Sequence, residues 1–163
     1  NRAPAEVVRN PNIATVQALN IYSMHFVSET HARVRYGETD QMGFAYYGNY
    51  ALYFEVGRAE AMRKLGMTYR QMEEKGVYMP IAQMNVKYLK PARYDDLLTI
   101  RTIVTQVPTS RMIFDYEVYN EDGTLLCEGN TVLAFIKYAN HRPCPAPDWF
   151  LEKLLPLMNQ TES

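Results

Sequence analysis

The sequence predicts an α+β domain in which a five-stranded antiparallel sheet is wrapped around one long helix, with a short second helix and a C-terminal helix. Three observations carry this expectation. One strand, a helix and four more strands follow one another along the chain, an order that suits an antiparallel sheet rather than a parallel one. The helix, from Asn49 to about Leu65, is apolar around so much of its surface that it reads as enclosed. At 163 residues, 47% hydrophobic and 21% charged, the chain can bury a core of its own, and neither disorder nor a membrane class is suggested.

In chain order, residues 1–28 read as an N-terminal extension of unread role, with Ile13 to Leu19 as a short helix capped at Asn12. Residues 29–158 read as one domain. Thr30 to Tyr36 alternates as a strand, with Ala32, Val34 and Tyr36 on one side and His31, Arg33 and Arg35 on the other. Gly37 stops it. Glu38 to Gly43 are turn formers, and Gly43 and Gly48 permit backbone geometries that other residues resist. Asn49 is suited to capping the long helix by its side chain, and Gly66 to ending it. On that helix Leu52, Val56, Ala59 and Met62 or Arg63 recur at spacings of three and four, widened by Tyr50, Ala51, Phe54 and Ala61.

Thr68 to Lys75 reads as a second helix, capped at Thr68 and closed by Gly76. Four strands follow. Tyr78 to Tyr88 leads into Lys90-Pro91, where proline ends pairing. Leu97 to Val107 presents Leu98, Ile100, Thr102 and Val104 on one face. Arg111 to Asn120 alternates most cleanly, with Met112, Phe114, Tyr116 and Val118 inward. Glu121-Asp122-Gly123 makes a tight hairpin, and Thr124 to Tyr138 completes the meander. Residues 143–147 hold too many prolines for a helix, and Asp148 starts one through Trp149, Phe150, Leu154 and Leu155.

Charge and composition exclude several functions. A formal net charge of -1 argues against a nucleic-acid binder that neutralises many phosphates. Cys127 and Cys144 are too few for a disulfide framework or a four-cysteine zinc site, and Cys127 reads as a core thiol. His25, His31 and His141 have no metal-ligand spacing. No serine stands in a Gly-x-Ser-x-Gly setting, and no glycine-rich phosphate loop is present. Without an apolar run of about 20 residues or a basic-then-apolar leader, the expectation is a soluble, cytoplasmic protein with no membrane partner.

The stretch Arg33 to Arg58 holds the candidate chemistry. Asp40 falls a few residues before the free N–H groups of a helix start, where the dipole favours negative charge and a carbonyl oxygen can be polarised. Acyl transfer needs both a carboxylate and such donors. An isolated aspartate before a helix is ordinarily a turn or capping residue, so the residues alone leave both readings open.

The run Tyr36-Gly37-Glu38-Thr39-Asp40-Gln41-Met42-Gly43-Phe44-Ala45-Tyr46-Tyr47-Gly48-Asn49-Tyr50 resembles the signature of hotdog-fold acyl-CoA thioesterases of the 4-hydroxybenzoyl-CoA thioesterase-like family. Tyr88 to Leu98, and Phe135-Ile136-Lys137 followed by Arg142-Pro143, resemble its second and third landmarks. The resemblance implies a hotdog fold, a homodimer or tetramer with its site at the subunit boundary, and no cofactor. It implies Asp40 as nucleophile or general base and the Tyr47 N–H as oxyanion donor. For the substrate it points to Tyr46, Gly48, Asn49 and Tyr50 at the helix start, and to Lys90, Arg93, Thr109, Ser110 and Arg111 for CoA. Where this chain has Gly48, many bacterial members carry His and the aromatic-substrate enzyme has Pro, which leaves Asp40 to work with backbone donors and water. Glu55, on the helix, is a second choice of carboxylate. The function so implied is hydrolysis of an acyl-CoA to free acid and CoA. Hydrolysis of acyl-carrier-protein thioesters and non-catalytic acyl-CoA binding are the alternatives.

Overall fold

The structure is a computed structural model, and it describes residues 25–158. Its strands are β1 (Phe26–Arg33), β2 (Val77–Tyr78), β3 (Ile81–Tyr88), β4 (Leu97–Val104), β5 (Arg111–Tyr119), β6 (Leu125–Ala134), β7 (Ile136–Lys137) and β8 (Arg142–Pro143). Its α-helices are α1 (Tyr50–Leu65), α2 (Tyr69–Glu74) and α3 (Asp148–Met158). The main sheet is antiparallel in the order β1-β4-β5-β6-β3, and β2-β7-β8 form a small second sheet. Among the described residues no helix is long and apolar enough to cross a membrane. The short helix expected near Ile13 to Leu19 lies outside the described residues.

The alternation in β4 and β5 sets the core. Leu98, Ile100, Thr102 and Val104 of β4, and Met112, Phe114, Tyr116 and Val118 of β5, are buried on one face. Pairings such as Ile100 with Val118 and Thr102 with Tyr116 hold the two rows in step. Against them α1 lays Tyr50, Tyr53, Phe54, Gly57, Ala61, Met62 and Leu65, with Phe54 stacked on Tyr116 at 4.3 Å between centroids. Each large apolar side chain buried this way contributes about 1.5–3 kcal/mol. An exposed ion pair such as Arg70–Glu74 contributes about 0–1 kcal/mol, so the helix–sheet seam dominates stability.

The buried face of α1 is not the one the spacing suggested. Leu52 and Val56 are 50% and 39% exposed, because the sheet covers the stripe that carries the aromatic rings and Gly57. That glycine is what lets the helix approach. A Cβ there would stand 2.5 Å from Thr102 Oγ1 and 2.7 Å from Ile100 Cγ2, distances that atoms do not occupy. Gly66 ends α1 in the left-handed conformation at φ 85° as expected, and Thr68 caps α2 reciprocally with Gln71.

Several boundaries moved for local reasons. β1 starts at Phe26 and ends at Arg33, so Tyr36, expected on the same side of the strand as Val34, instead enters a 3-10 turn and is 79% exposed. Pro80 has no N–H to give and splits the expected strand from Tyr78 into β2 and β3. β4 stops at Val104, short of Val107, and Pro108 just beyond has no N–H to give to a ladder. Beyond it, Arg142–Pro143 adds a two-residue strand that proline content had concealed.

Candidate active site

Residues 34–49, between β1 and α1, fold back on one carbonyl. Glu38 O accepts from the N–H of Tyr46 and from Asn49 Nδ2, each at 2.8 Å. Asn49 therefore does not cap α1 by its side chain as expected; its backbone is already helical, and its amide is spent fastening the helix start to the turn. The Glu38 carboxylate is buried and accepts from Arg35 N and Arg35 Nε, both at 2.9 Å. Burial alone would raise its pKa, but the Arg35 donors outweigh that and hold the group below the usual carboxylate range.

Within that fastening, Thr39 and Ala45 pair as a bridge, and the chain turns at Gly43, φ 77°. Asp40 opens the turn. Its Oδ1 accepts from the N–H of Met42 at 2.9 Å and, at 3.4 Å, from that of Phe44. Oδ2 accepts no hydrogen bond among the described residues. The chain then enters a 3-10 turn, Tyr47–Asn49, that runs directly into α1. The first N–H groups of such a run have no acceptor behind them. Those of Tyr47 and Gly48 donate in none of the described bonds outside regular elements.

Both features meet in one cavity of about 360 Å³, lined by Asp40, Met42, Phe44, Ala45, Tyr47, Tyr50, Tyr88, Leu89, Lys90 and Pro91. Its wall is aromatic: Tyr50 and Tyr88 meet edge to face at 5.2 Å, and Tyr47 and Tyr88 at 6.3 Å. The Tyr88 hydroxyl donates to Tyr47 O at 3.0 Å. Burial, and after it the neighbouring Cys127, pushes the Tyr50 hydroxyl up to about 12. Cys127 itself is pushed up to about 12 by burial. Tyr50 and Cys127 are thus neutral near pH 7, and the one carboxylate and one amine in the lining belong to Asp40 and Lys90. A carboxylate with a free oxygen, unpaired N–H groups and an apolar wall can attack, polarise and enclose a carbonyl.

Of the residues singled out from the sequence, Asp40, Tyr47, Tyr50 and Lys90 line the cavity. Tyr46 packs its ring on Tyr47 at 4.6 Å, and a Cβ at Gly48 would stand 2.6 Å from that Tyr46 ring. Arg93 lies over the Phe44 ring at 5.0 Å. Glu55 is exposed and takes no part in the lining. The turn Thr109-Ser110-Arg111 is not brought near in one chain. Tyr88 pairs with Cys127 and Cys127 with Val118, whereas Arg111 starts β5, roughly 24 Å away at about 3.4 Å per residue. Phe44 and Tyr88 were missed as site residues, although both stand inside the quoted motifs. Among the described residues no group of three or more His, Cys, Asp or Glu could hold a metal ion.

Comparison with known proteins gives the family and the fold. The sequence profile of the thioesterase-like superfamily matches residues 34–154. YneP of Bacillus subtilis (strain 168) is 34% identical over 130 residues, 77% of this chain and 94% of that protein. The solved DHNA-CoA thioesterase of Staphylococcus aureus superposes with a TM-score of 0.71 at 37% identity, covering 83% of this chain and 93% of the other. A 4-hydroxybenzoyl CoA thioesterase solved with 4-hydroxybenzoyl CoA shares the fold, with a TM-score of 0.71 at 22% identity, over 78% of this chain and 98% of its own.

Proposed function

The chain belongs to the thioesterase-like superfamily and is a thioester hydrolase of hotdog fold, and from that premise we propose that it hydrolyses an acyl-CoA to the free acid and CoA. The substrate named for the Staphylococcus aureus relative, a CoA thioester, supports the class. The observation that carries the reading is that the half-engaged Asp40 carboxylate and the helix-start turn at Tyr47 line one apolar cavity.

Asp40 is proposed as the reacting carboxylate, through Oδ2, with Oδ1 held by the Met42 N–H. As general base, Oδ2 takes a proton from water while the water oxygen attacks the thioester carbon. The Tyr47 N–H donates to the oxyanion; the C–S bond then breaks and the sulfur receives the proton. As nucleophile, Oδ2 bonds to the acyl carbon, CoA departs as thiolate, and water opens the acyl anhydride. Either route draws on the same donor, whose loss typically costs about 10²-fold or more in turnover.

The neutral wall of Phe44, Tyr50 and Tyr88 would enclose the acyl group, and Lys90 at the rim would meet CoA phosphate. Arg93, already seated on Phe44, would do so with little ordering cost. The turn Thr109-Ser110-Arg111 could reach a CoA only from a second copy of the chain, and we propose a homo-oligomer on that ground. The exposed edge strand β3 and the exposed Leu52 and Val56 support it.

Purified protein offered a panel of aliphatic and aromatic acyl-CoAs should release thiol, and Asp40→Asn should retain the fold and lose most of that turnover. Wild-type rates in the variant would overturn the assignment. Competition by free CoA separates this reading from hydrolysis of carrier-protein thioesters, which it should leave unaffected.

A further inference from the structure

A second cavity, about 620 Å³, lies apart from Asp40, between α2 and the small β2-β7-β8 sheet; Arg70, Glu73, Glu74, Tyr78, Tyr138 and His141 line it. Three of these are rings. Their centroids are 6.4 Å apart for Tyr78 and Tyr138, 6.2 Å for Tyr78 and His141, and 6.1 Å for Tyr138 and His141. They form a nearly equilateral triangle with the rings steeply inclined to one another. A charge about 4 Å above its centre would lie within about 5.5 Å of all three centroids, inside the reach of a cation–π contact.

The Tyr78 and His141 side chains are joined, and the backbone of Tyr138 is held, before any ligand arrives. The Tyr78 hydroxyl and His141 Nδ1 are hydrogen-bonded at 3.1 Å. Tyr138 N donates to Gly76 O, and His141 N to Lys137 O, each at 2.9 Å. His141 has a left-handed backbone, φ 54°, at a hairpin position where Gly or Asn is the usual choice. An imidazole kept there by a bond to Tyr78 shapes the cleft in a way that Gly could not.

Charge in the cleft is negative, two carboxylates against one guanidinium. Arg70 pairs with Glu74 at 3.4 Å, and Glu73 has no ion pair among the described residues. Nearby basic groups point elsewhere: Lys137 pairs with Val77 and with Arg142, while Tyr78 pairs with Ile136, so register sends Lys137 and Arg142 to the opposite face of the small sheet from Tyr78. We propose that this cleft binds an alkylammonium group, with Tyr78, Tyr138 and His141 as its walls and Glu73 as its counter-charge. The volume leaves room for a free quaternary amine or the end of a lysine side chain. The cleft shares no lining residue with the Asp40 cavity.

The test is a titration of the full chain followed by NMR of the tyrosine and histidine rings, with choline chloride in one arm and a capped trimethyl-lysine amide in the other. Saturable shifts confined to Tyr78, Tyr138 and His141 are expected. The exposed Tyr138→Leu and Glu73→Gln should each weaken binding about 2- to 5-fold, with thiol release from acyl-CoA unchanged. Saturation by choline would assign a small-molecule amine, and saturation by the lysine amide alone a protein side chain. Shifts reproduced by sodium chloride at equal ionic strength, or unaltered in both variants, would overturn the proposal.

Discussion

The Tyr88 hydroxyl donates to the carbonyl oxygen of Tyr47 at 3.0 Å, tying the last residue of β3 to the first residue of the turn that opens α1. The Tyr47–Gly48 peptide is therefore anchored at its oxygen, which orients the Gly48 N–H directly and steadies the turn that carries the Tyr47 N–H. We expect Tyr88→Phe, which keeps the ring contacts with Tyr47 and Tyr50, to cost about 0.5–1.5 kcal/mol of stability. Turnover should fall about tenfold with KM little changed, within the range that small misplacement of a donor costs. Steady-state kinetics on one acyl-CoA would decide; an unchanged kcat would mean the bond is structural alone.

Asp40→Asn keeps a side-chain oxygen for the Met42 and Phe44 N–H groups while removing the charge. Its melting temperature should stay within a few degrees of wild type, and thiol release should drop by about 10²-fold or more. A collapse of the fold would instead make Asp40 a turn residue first.

Gly57→Ala sets two effects against each other. Alanine is favoured over glycine in a helix by about 1 kcal/mol, but its methyl would stand 2.5 Å from Thr102 Oγ1 and 2.7 Å from Ile100 Cγ2. Overpacking of this kind costs about 1–3 kcal/mol. Net destabilisation is expected, read as a lower midpoint in urea; a stabilised variant would show that α1 can move off the sheet freely.

The Glu38 carboxylate is held below its ordinary value of 4.5 in the fold. A lowered folded pKa contributes stability that is present above the unfolded value and is lost as pH falls through the folded one. Wild type should therefore lose stability below about pH 4.5, and Glu38→Gln should lose less over that span while being less stable at pH 7. Thermal melts at pH 7 and pH 3 test this, and parallel pH curves would refute it.

The Cys127 thiol, fully buried and pushed up to about 12, has almost no thiolate at pH 8. Native protein should leave it unlabelled by an aromatic disulfide reagent over the time of a thiol-release assay, and denaturant should expose it.

Much of the site was legible in the chain because it is local. Asp40, the turn at Gly43, the start of α1 and the stop at Gly66 lie within one stretch, where turn chemistry and the run of aromatics act on near neighbours. The strands β4 and β5 were legible for a similar reason, since alternation such as Met112, Phe114, Tyr116 and Val118 repeats whatever the partner strand. The cavity was not, because Tyr88, Leu89 and Lys90 come from a segment some forty residues on in sequence, and their place beside Tyr47 depends on β3 pairing at the sheet edge.

The amino-acid sequence alone determined the class of fold, the turn that carries Asp40 and the helix start beside it, because each is written in short-range spacing; the role proposed for Asp40 came from the family resemblance. Tertiary structure decided which stripe of α1 faces the sheet, that Asn49 binds Glu38 instead of capping, and that Arg111 stands at the far end from Asp40. Those outcomes depend on close approach and strand register, which are properties of residues distant in the chain and carry no signature in either segment taken by itself.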